Sequence, residues 1–228
     1  MRDAAEIEKL FADLGADFLL PVAQLQQRLQ SIKAFVFDWD GVFNDGVKGE
    51  NAPSSFSEPD SMGTNMLRYA HWRARGELPV CAVISGAHNP TAKTFASREH
   101  FHAVYCGFAD KTRAFEQMLA AQSIEWSQVA YVFDDINDLS AAKHCGLRFL
   151  VRRGSSPLLR EFCAIYAYAD YVTGAQSGLY PVREICELLL GLLGGFPVVF
   201  ESRSRYDEDY QAYFAKRQSV QTLDVDAN

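Results

Sequence analysis

The sequence predicts an α/β protein built on a parallel sheet with helices on both faces. Two patterns carry this expectation. Short unbroken apolar runs recur between residues 31 and 194: Ala34-Phe35-Val36-Phe37, Val80-Cys81-Ala82-Val83-Ile84, Ala103-Val104-Tyr105, Val129-Ala130-Tyr131-Val132-Phe133, and Leu147 to Val151. Runs of this kind suit strands covered on both sides. Segments with helical spacing separate them, and strands alternating with helices make parallel βαβ units in a Rossmann-like sheet.

The helical segments can be placed one by one. Residues 5–30 carry Leu10, Phe11, Leu14 and Phe18 at helical spacing, with Gly15 and Pro21 dividing the stretch. A helix is predicted from near Ser61, with Met62, Met66, Leu67 and Tyr69 inward. Others are predicted from about Pro90 to His100, Lys111 to Gln122, Asn137 to His144 and Gly178 to Leu193. Ser156-Pro157 opens a further helix with an N-cap and a first-turn proline. Residues 45–60 hold Gly46, Gly49, Pro53 and Pro59 and read as loop or hairpin. Beyond Gly194-Gly195, Pro197-Val198-Val199-Phe200 reads as extended. A charged helical piece follows from Tyr206, whose Tyr206, Tyr210 and Tyr213 read as a docking face, and the polar last residues are expected to fray. Three parts result: an N-terminal helical extension (1–30), a core (31–194) and a C-terminal tail (195–228).

Composition narrows the function. The chain has 228 residues, 48% hydrophobic and 22% charged, with a net charge of −7. That balance suits a soluble globular protein and argues against nucleic acid or an anionic membrane as the main partner. The cysteines Cys81, Cys106, Cys145, Cys163 and Cys186 are odd in number and include no C-x-x-C pair, so they read as buried free thiols. The first residues lack the basic-then-apolar order of a signal peptide, and the apolar run around Leu188 to Leu193 is too short for a bilayer. A reduced, cytoplasmic setting is expected.

The chemistry gathers where ligands bind in an open parallel sheet, beyond the carboxyl ends of its strands. Asp38 and Asp40 follow the first apolar run. Ser85 and Gly86 follow the second, and Lys111 opens a helix after the third. Asp134 and Asp135 follow the fourth, with Asp138 one helical turn beyond Asp134. Several carboxylates on one rim repel one another and call for a hard divalent cation, and magnesium suits carboxylates, waters and phosphate oxygens. Lys111 offers a fixed positive charge to a phosphate, despite sitting at the unfavourable positive end of a helix. Ser85 and the Gly86 amide add donors to phosphate oxygens.

The ordered set Asp38-Trp39-Asp40-Gly41-Val42, Ser85-Gly86, Lys111 and Asp134-Asp135-Ile136-Asn137-Asp138 resembles the four motifs of the haloacid dehalogenase superfamily. The resemblance extends, over about residues 31–194, to its small capless phosphatases of sugar-acid phosphates. Phe37 to Gly46 is similar to that group's F-D-V-D-G-V-L-T-D-G, and Cys106 to Lys111 to its Q-G-x-x-D-K. Ala169 to Thr173 and Val182-Arg183-Glu184 resemble its A-D-Y-V-T and V-R-E. The resemblance implies a magnesium-dependent phosphatase in which Asp38 attacks phosphorus and Asp40 is the acid/base. Magnesium would be held by the Asp38 and Asp134 carboxylates and the Asp40 carbonyl, and Asp138 would orient Lys111 or the metal's waters. Asp135 ranks below these, because adjacent residues rarely share one target. It also implies a small β-hairpin flap at about 45–60, no large cap domain, and a homo-oligomer, by resemblance a tetramer. The substrate implied is a small phosphorylated metabolite, a sugar or sugar-acid phosphate. The chain departs from the group's pattern at Ala87, where relatives carry an arginine associated with substrate recognition, and at Asn44, Ser61, Phe133 and Tyr180-Pro181. These departures point to altered specificity within the same chemistry. A nucleotide or other phosphometabolite, or a silent scaffold that keeps the fold, are the alternatives.

Overall fold

The computed structural model describes residues 2–49 and 54–227. Eight strands form one sheet in the order β1-β7-β6-β5-β2-β3-β4-β8. At its centre lies β2 (Ala34–Phe37), every residue buried, between β3 (Val80–Ile84) and β5 (Val129–Phe133). Beyond them run β4 (Ala103–Cys106), β6 (Leu147–Arg152) and β7 (Tyr171–Gln176), all parallel. Five of these strands agree with the sequence expectation within a residue or two, whereas the sequence marks β7 only by its Ala169 to Thr173 motif.

The pleat sends alternate residues to opposite faces. Phe35, Phe37, Cys81, Val83, Ala130 and Val132 join one core with Leu25 and Leu29 of α2 (Val22–Leu29) and Val182, Ile185 and Leu189 of α8 (Pro181–Leu193). Ala34, Val36, Ala82, Ile84, Tyr131 and Phe133 join the other with Phe115 and Met118 of α5 (Lys111–Gln122). Sheet burial on both sides explains the unbroken apolar runs. The five cysteines are buried and free. No single helix among the described residues is long and apolar enough to cross a membrane.

Both chain ends join this sheet. Gly15 and Pro21 do divide the N-terminal stretch: α1 (Ala4–Asp13) and α2 flank β1 (Asp17–Phe18), which pairs antiparallel with β7. At the other end the expected extended piece at Pro197–Phe200 is helical instead, inside α9 (Phe196–Arg205). Pro197 lies in its first turn, where a missing N–H costs nothing, and Val199 is buried against α8 and the tail helix. Residues 223–226, expected to fray, are ordered instead. They form β8 (Leu223–Asp226), parallel to β4 with Ala103 opposite Leu223 and Cys106 opposite Asp226.

Other boundaries move for local reasons. The helix expected from Ser61 begins three residues earlier, as α3 (Glu58–Arg75), because Ser57 caps it by accepting the Asp60 N–H and Pro59 fits its first turn. The helix expected from Asn137 starts as a 3-10 turn (Ile136–Asp138) and continues as a short α6 (Leu139–Ala142). Ser156 makes no capping bond to α7 (Pro157–Ile165). Of the segment expected to form a β-hairpin flap, residues 50–53 lie outside the described residues, and 54–57 run as irregular chain into α3. Two of the three tyrosines expected on the docking face take it, on α10 (Glu208–Gln218): Tyr210 and Tyr213 are buried against Met66, Tyr69 and Ala70 of α3, whereas Tyr206 is the exposed, left-handed residue that ends α9 before the helix begins.

Candidate active site

Register puts the site together. Phe37 pairs with Val83 of β3 and with Val132 of β5, so the three central strands run out at one level. Asp38, Ser85 and Asp134 follow immediately, and all three are buried. They line a cleft of ≈ 480 Å³ with Asp40, Gly46, Lys48, Gly86, Ala87, Lys111, Asp135, Asp138 and Arg153.

Lys111 lies at the floor, 3% exposed, where α5 begins. Its Nζ lies 2.5 Å from Asp38 Oδ1 and 2.5 Å from Asp138 Oδ1. Tyr131 donates its hydroxyl to the same Asp138 oxygen at 2.5 Å. Burial depresses the Lys111 ammonium, but the Asp38 and Asp138 charges outweigh it and hold the pKa above the usual lysine value. Burial pushes Asp38 well above the carboxylate range. Lys111 opposes that rise, while Asp138 and Asp134 add to it. Burial also raises Asp134, to about 6, against the opposing charge of Arg153. The rim is therefore short of positive charge.

Oxygen atoms of Asp38, Asp134 and Asp138 lie within 4.8 Å of one another. Three buried hard donors at this spacing suit magnesium, and the raised pKa values of Asp38 and Asp134 express the cation they call for. The residues present fit that metal.

Asp40 stands apart from this cluster. Its Oδ1 accepts the Ser54 hydroxyl at 2.6 Å, and its Oδ2 accepts Asn89 Nδ2 at 2.9 Å and pairs with Lys48 Nζ at 2.8 Å. Burial works to raise its pKa, but Lys48, Ser54 and Asn89 prevail and hold it below the usual range. Asn89 also donates to Ser85 Oγ at 2.7 Å, so one amide links the first and second motifs. Gly86 is exposed at the rim. Asp135 is exposed and caps the turn that follows, accepting the Ile136 N–H at 2.7 Å.

Gly41 has φ +85°, and a Cβ there would fall 2.0 Å from Asp134 Oδ2, so only glycine fits. Asn44 holds this turn, its Oδ1 accepting the Gly46 N–H at 2.9 Å and its Nδ2 donating to Trp39 O. Several residues here were not singled out from the sequence: Lys48, Ser54, Asn89, Tyr131 and Arg153. Arg153 had a usable signal, since it follows a predicted strand on the same edge. Tyr131, in mid-strand, had none. Asp60 is buried away from the cleft, bonded to Ser57 and to the Arg183 N–H, and Arg183 pairs with Glu187. His71 is a packing histidine between the Ile32 and Glu77 carbonyls.

No family model matches the chain. Curated relatives do. The 3-deoxy-D-manno-octulosonate 8-phosphate phosphatase KdsC of Escherichia coli (strain B / BL21-DE3) is 30% identical over 172 residues, covering 74% of this chain and 84% of the relative. The chain belongs to the KdsC-type phosphatases of the haloacid dehalogenase superfamily. KdsC of Yersinia pestis is 28% identical over 195 residues, 83% of this chain and 92% of that one. Solved structures agree with this family. That of the Moraxella catarrhalis 3-deoxy-D-manno-octulosonate 8-phosphate phosphatase, in complex with magnesium, phosphate and KDO, has a TM-score of 0.66 at 26% identity, covering 78% of this chain and 97% of its own. The cobalt-bound Haemophilus influenzae phosphatase has a TM-score of 0.62 at 27% identity, with coverage of 74% and 92%.

Proposed function

We propose that this protein is a magnesium-dependent phosphomonoesterase that hydrolyses a phosphorylated sugar acid through an aspartyl-phosphate on Asp38. The observation that carries the reading is the division of the rim. Asp38 lies among the metal-binding carboxylates and Lys111, while Asp40, two residues on, is held apart by its own hydrogen bonds.

In this reading Asp38 and Asp134 would hold magnesium together with the Asp40 carbonyl that the resemblance implies, Asp138 adding its charge from beside them, and the metal would neutralise phosphoryl oxygens. Ser85, the Gly86 amide and Lys111 take the remaining phosphoryl oxygens. An Asp38 carboxylate oxygen attacks phosphorus, forming the Asp38–phosphorus bond as the bond to the sugar oxygen breaks. The leaving oxygen takes its proton from Asp40. The entering phosphate dianion beside Asp40 favours its protonated form, against the pull of Lys48 and Asn89. Asp40 then receives a proton from water, whose oxygen attacks phosphorus and frees Asp38 and inorganic phosphate. Asp138 and Tyr131 fix Lys111.

Phosphate release from 3-deoxy-D-manno-octulosonate 8-phosphate, with magnesium and with chelator, tests the reading. Metal-dependent release that Asp38→Asn abolishes is expected. A preference for nucleotides would move the substrate class. An inert protein with no adduct at Asp38 would leave a silent scaffold. We extend the reading to a cytoplasmic homo-oligomer, in keeping with five unpaired thiols and with the tetrameric resemblance. Light scattering of the eluted protein checks the oligomer.

A further inference from the structure

Among the described residues the cleft is lined by three cations, Lys48, Lys111 and Arg153. Lys111 is committed to Asp38 and Asp138, and Lys48 to Asp40. The second-motif loop adds no charge, since Ala87 lines the cleft there. Arg153 is different. It leaves the end of β6, 32% exposed, and its Nη2 contacts Asp134 Oδ2. Its Nε is buried with no hydrogen-bond partner. Gly41 makes room for the guanidinium: a Cβ there would stand 2.5 Å from Nη2.

A metal at this rim competes with this arrangement. Asp134 is one of the three carboxylates grouped for the cation, and a carboxylate that coordinates magnesium has less negative charge to offer a guanidinium. Displaced from Asp134, Arg153 would keep its place at the cleft and hold a fork of donors with no anion. A planar guanidinium fork matches a carboxylate bidentately, and an unpaired charge beside a low-dielectric cleft is costly. The phosphoryl group already has Ser85, Gly86 and Lys111. For the second anionic group of a sugar acid, its carboxylate, Arg153 is the lining cation among the described residues whose planar fork matches it, whereas Lys48 offers a point charge beside Asp40.

We propose that Arg153 binds the carboxylate of the substrate, and that it exchanges Asp134 for that carboxylate when magnesium enters. The inference rests on the sugar-acid reading for its second half only. The first half concerns the competition between Arg153 and the metal for Asp134 and stands without any substrate.

Two measurements separate the halves. Magnesium binding to Arg153→Ala, read by titration calorimetry without substrate, should tighten about fivefold or more, because the competing guanidinium is gone. Unchanged or weaker binding overturns the exchange. Steady-state kinetics then compare 3-deoxy-D-manno-octulosonate 8-phosphate with glucose 6-phosphate, which carries no carboxylate. The variant's KM should rise at least tenfold more for the acid than for the neutral sugar. Ethylguanidinium added to the buffer should restore part of that loss, a recovery that a merely structural role would not show. Arg153→Lys, which keeps the charge and supports folding, should fall between wild type and Arg153→Ala. Equal rises in KM for the two substrates, with no rescue, overturn carboxylate binding. If wild type itself prefers the neutral sugar, the substrate reading fails while calorimetry still decides the exchange.

Discussion

Two regions of this molecule bury charge, and they do it differently. At the catalytic rim, Asp38, Asp40, Asp134 and Asp138 meet Lys48, Lys111 and Arg153, and the Asp38 and Asp134 carboxyls are pushed up. Where the tail helix docks, the Glu99 carboxylate meets Arg217 at 2.9 Å and the Ser61 hydroxyl at 2.8 Å, with Arg98 3.5 Å away. Arg68 spans to the Glu99 and His100 carbonyls, and Tyr213 and Arg217 share Asn65 Oδ1. The tail clamp sets one carboxylate, Glu99, against the guanidiniums of Arg217 and Arg98, and directs further donors of Arg68 and Arg217 to backbone carbonyls and Asn65, so it leaves no carboxylate without a cation. The rim has carboxylates to spare and needs a cation. Carboxylates crowded together beyond the cations that face them, rather than burial of charge itself, mark the site.

The sharpest way to break this contrast is Asp38→Asn. If the rim is built for chemistry at the expense of stability, turnover should fall ~10³-fold or more, while the unfolding midpoint is kept or raised because one repelling carboxylate is gone. Lys111 retains Asp138 in that variant. Steady-state rates and a urea titration on the same preparation give both numbers. A variant that unfolds more readily would mean that the rim's carboxylates hold the fold after all.

Arg217→Ala tests the opposite end. It leaves the Glu99 carboxylate buried with less opposing charge, and loss of one partner of such a pair costs about 3 kcal/mol or more. Urea unfolding should register that loss, with magnesium-dependent turnover little changed at temperatures where the protein remains folded. Adding Glu99→Gln should recover part of the stability. A loss of turnover without a loss of stability would place the clamp in the chemistry.

Asn89 belongs to the rim but carries no charge. It bridges Asp40 and Ser85, so it acts on the reaction through its neighbours. Asn89→Ala should lower kcat ~10-fold, the usual scale for losing a group that orients a reacting one. Because its bond helps hold Asp40 below the ordinary range, the limb of the kcat profile that Asp40 sets should also move to higher pH. A lowered kcat with an unmoved profile would reduce Asn89 to packing.

The two regions were also unequally legible. The rim could be read because a parallel sheet brings strand ends together whatever the intervening sequence, and three of the predicted strands end in Asp38, Ser85 and Asp134. Asp38, Ser85 and Asp134 therefore meet as expected. Lys48, Asn89 and Arg153 lie on loops, whose reach depends on backbone turns such as the one Gly41 permits, and no periodicity announces that. The clamp was harder. Tyr210 and Tyr213 at helical spacing pointed to a docking face, but its partners Asn65, Arg68 and Glu99 are scattered over two other helices' worth of sequence. Pro197-Val198-Val199-Phe200 misled because β-branched residues favour strands until packing against a neighbouring helix decides otherwise. β8 was missed because Leu223-Asp224-Val225-Asp226 is short and polar, as edge strands often are.

The smallest expected effect sits between the two regions. His102 follows the edge of the clamp and accepts the Cys81 N–H on Nδ1 at 3.1 Å. Burial, with the Arg68 charge adding to it, lowers its pKa to about 4. A histidine depressed in the folded state contributes stability that is present above its unfolded pKa near 6.5 and is lost as pH falls toward 4. Between pH 7 and 6 the loss should stay below ~1 kcal/mol and steepen under pH 6. His102→Gln, which does not titrate, should flatten that part of the stability curve while leaving the pH dependence of kcat in place. Urea unfolding at closely spaced pH values reads the slope directly. An unchanged slope in the variant would shift the acid sensitivity to other groups, and the raised carboxyls of the rim cannot supply it: protonation favours their folded form, so their contribution runs the other way.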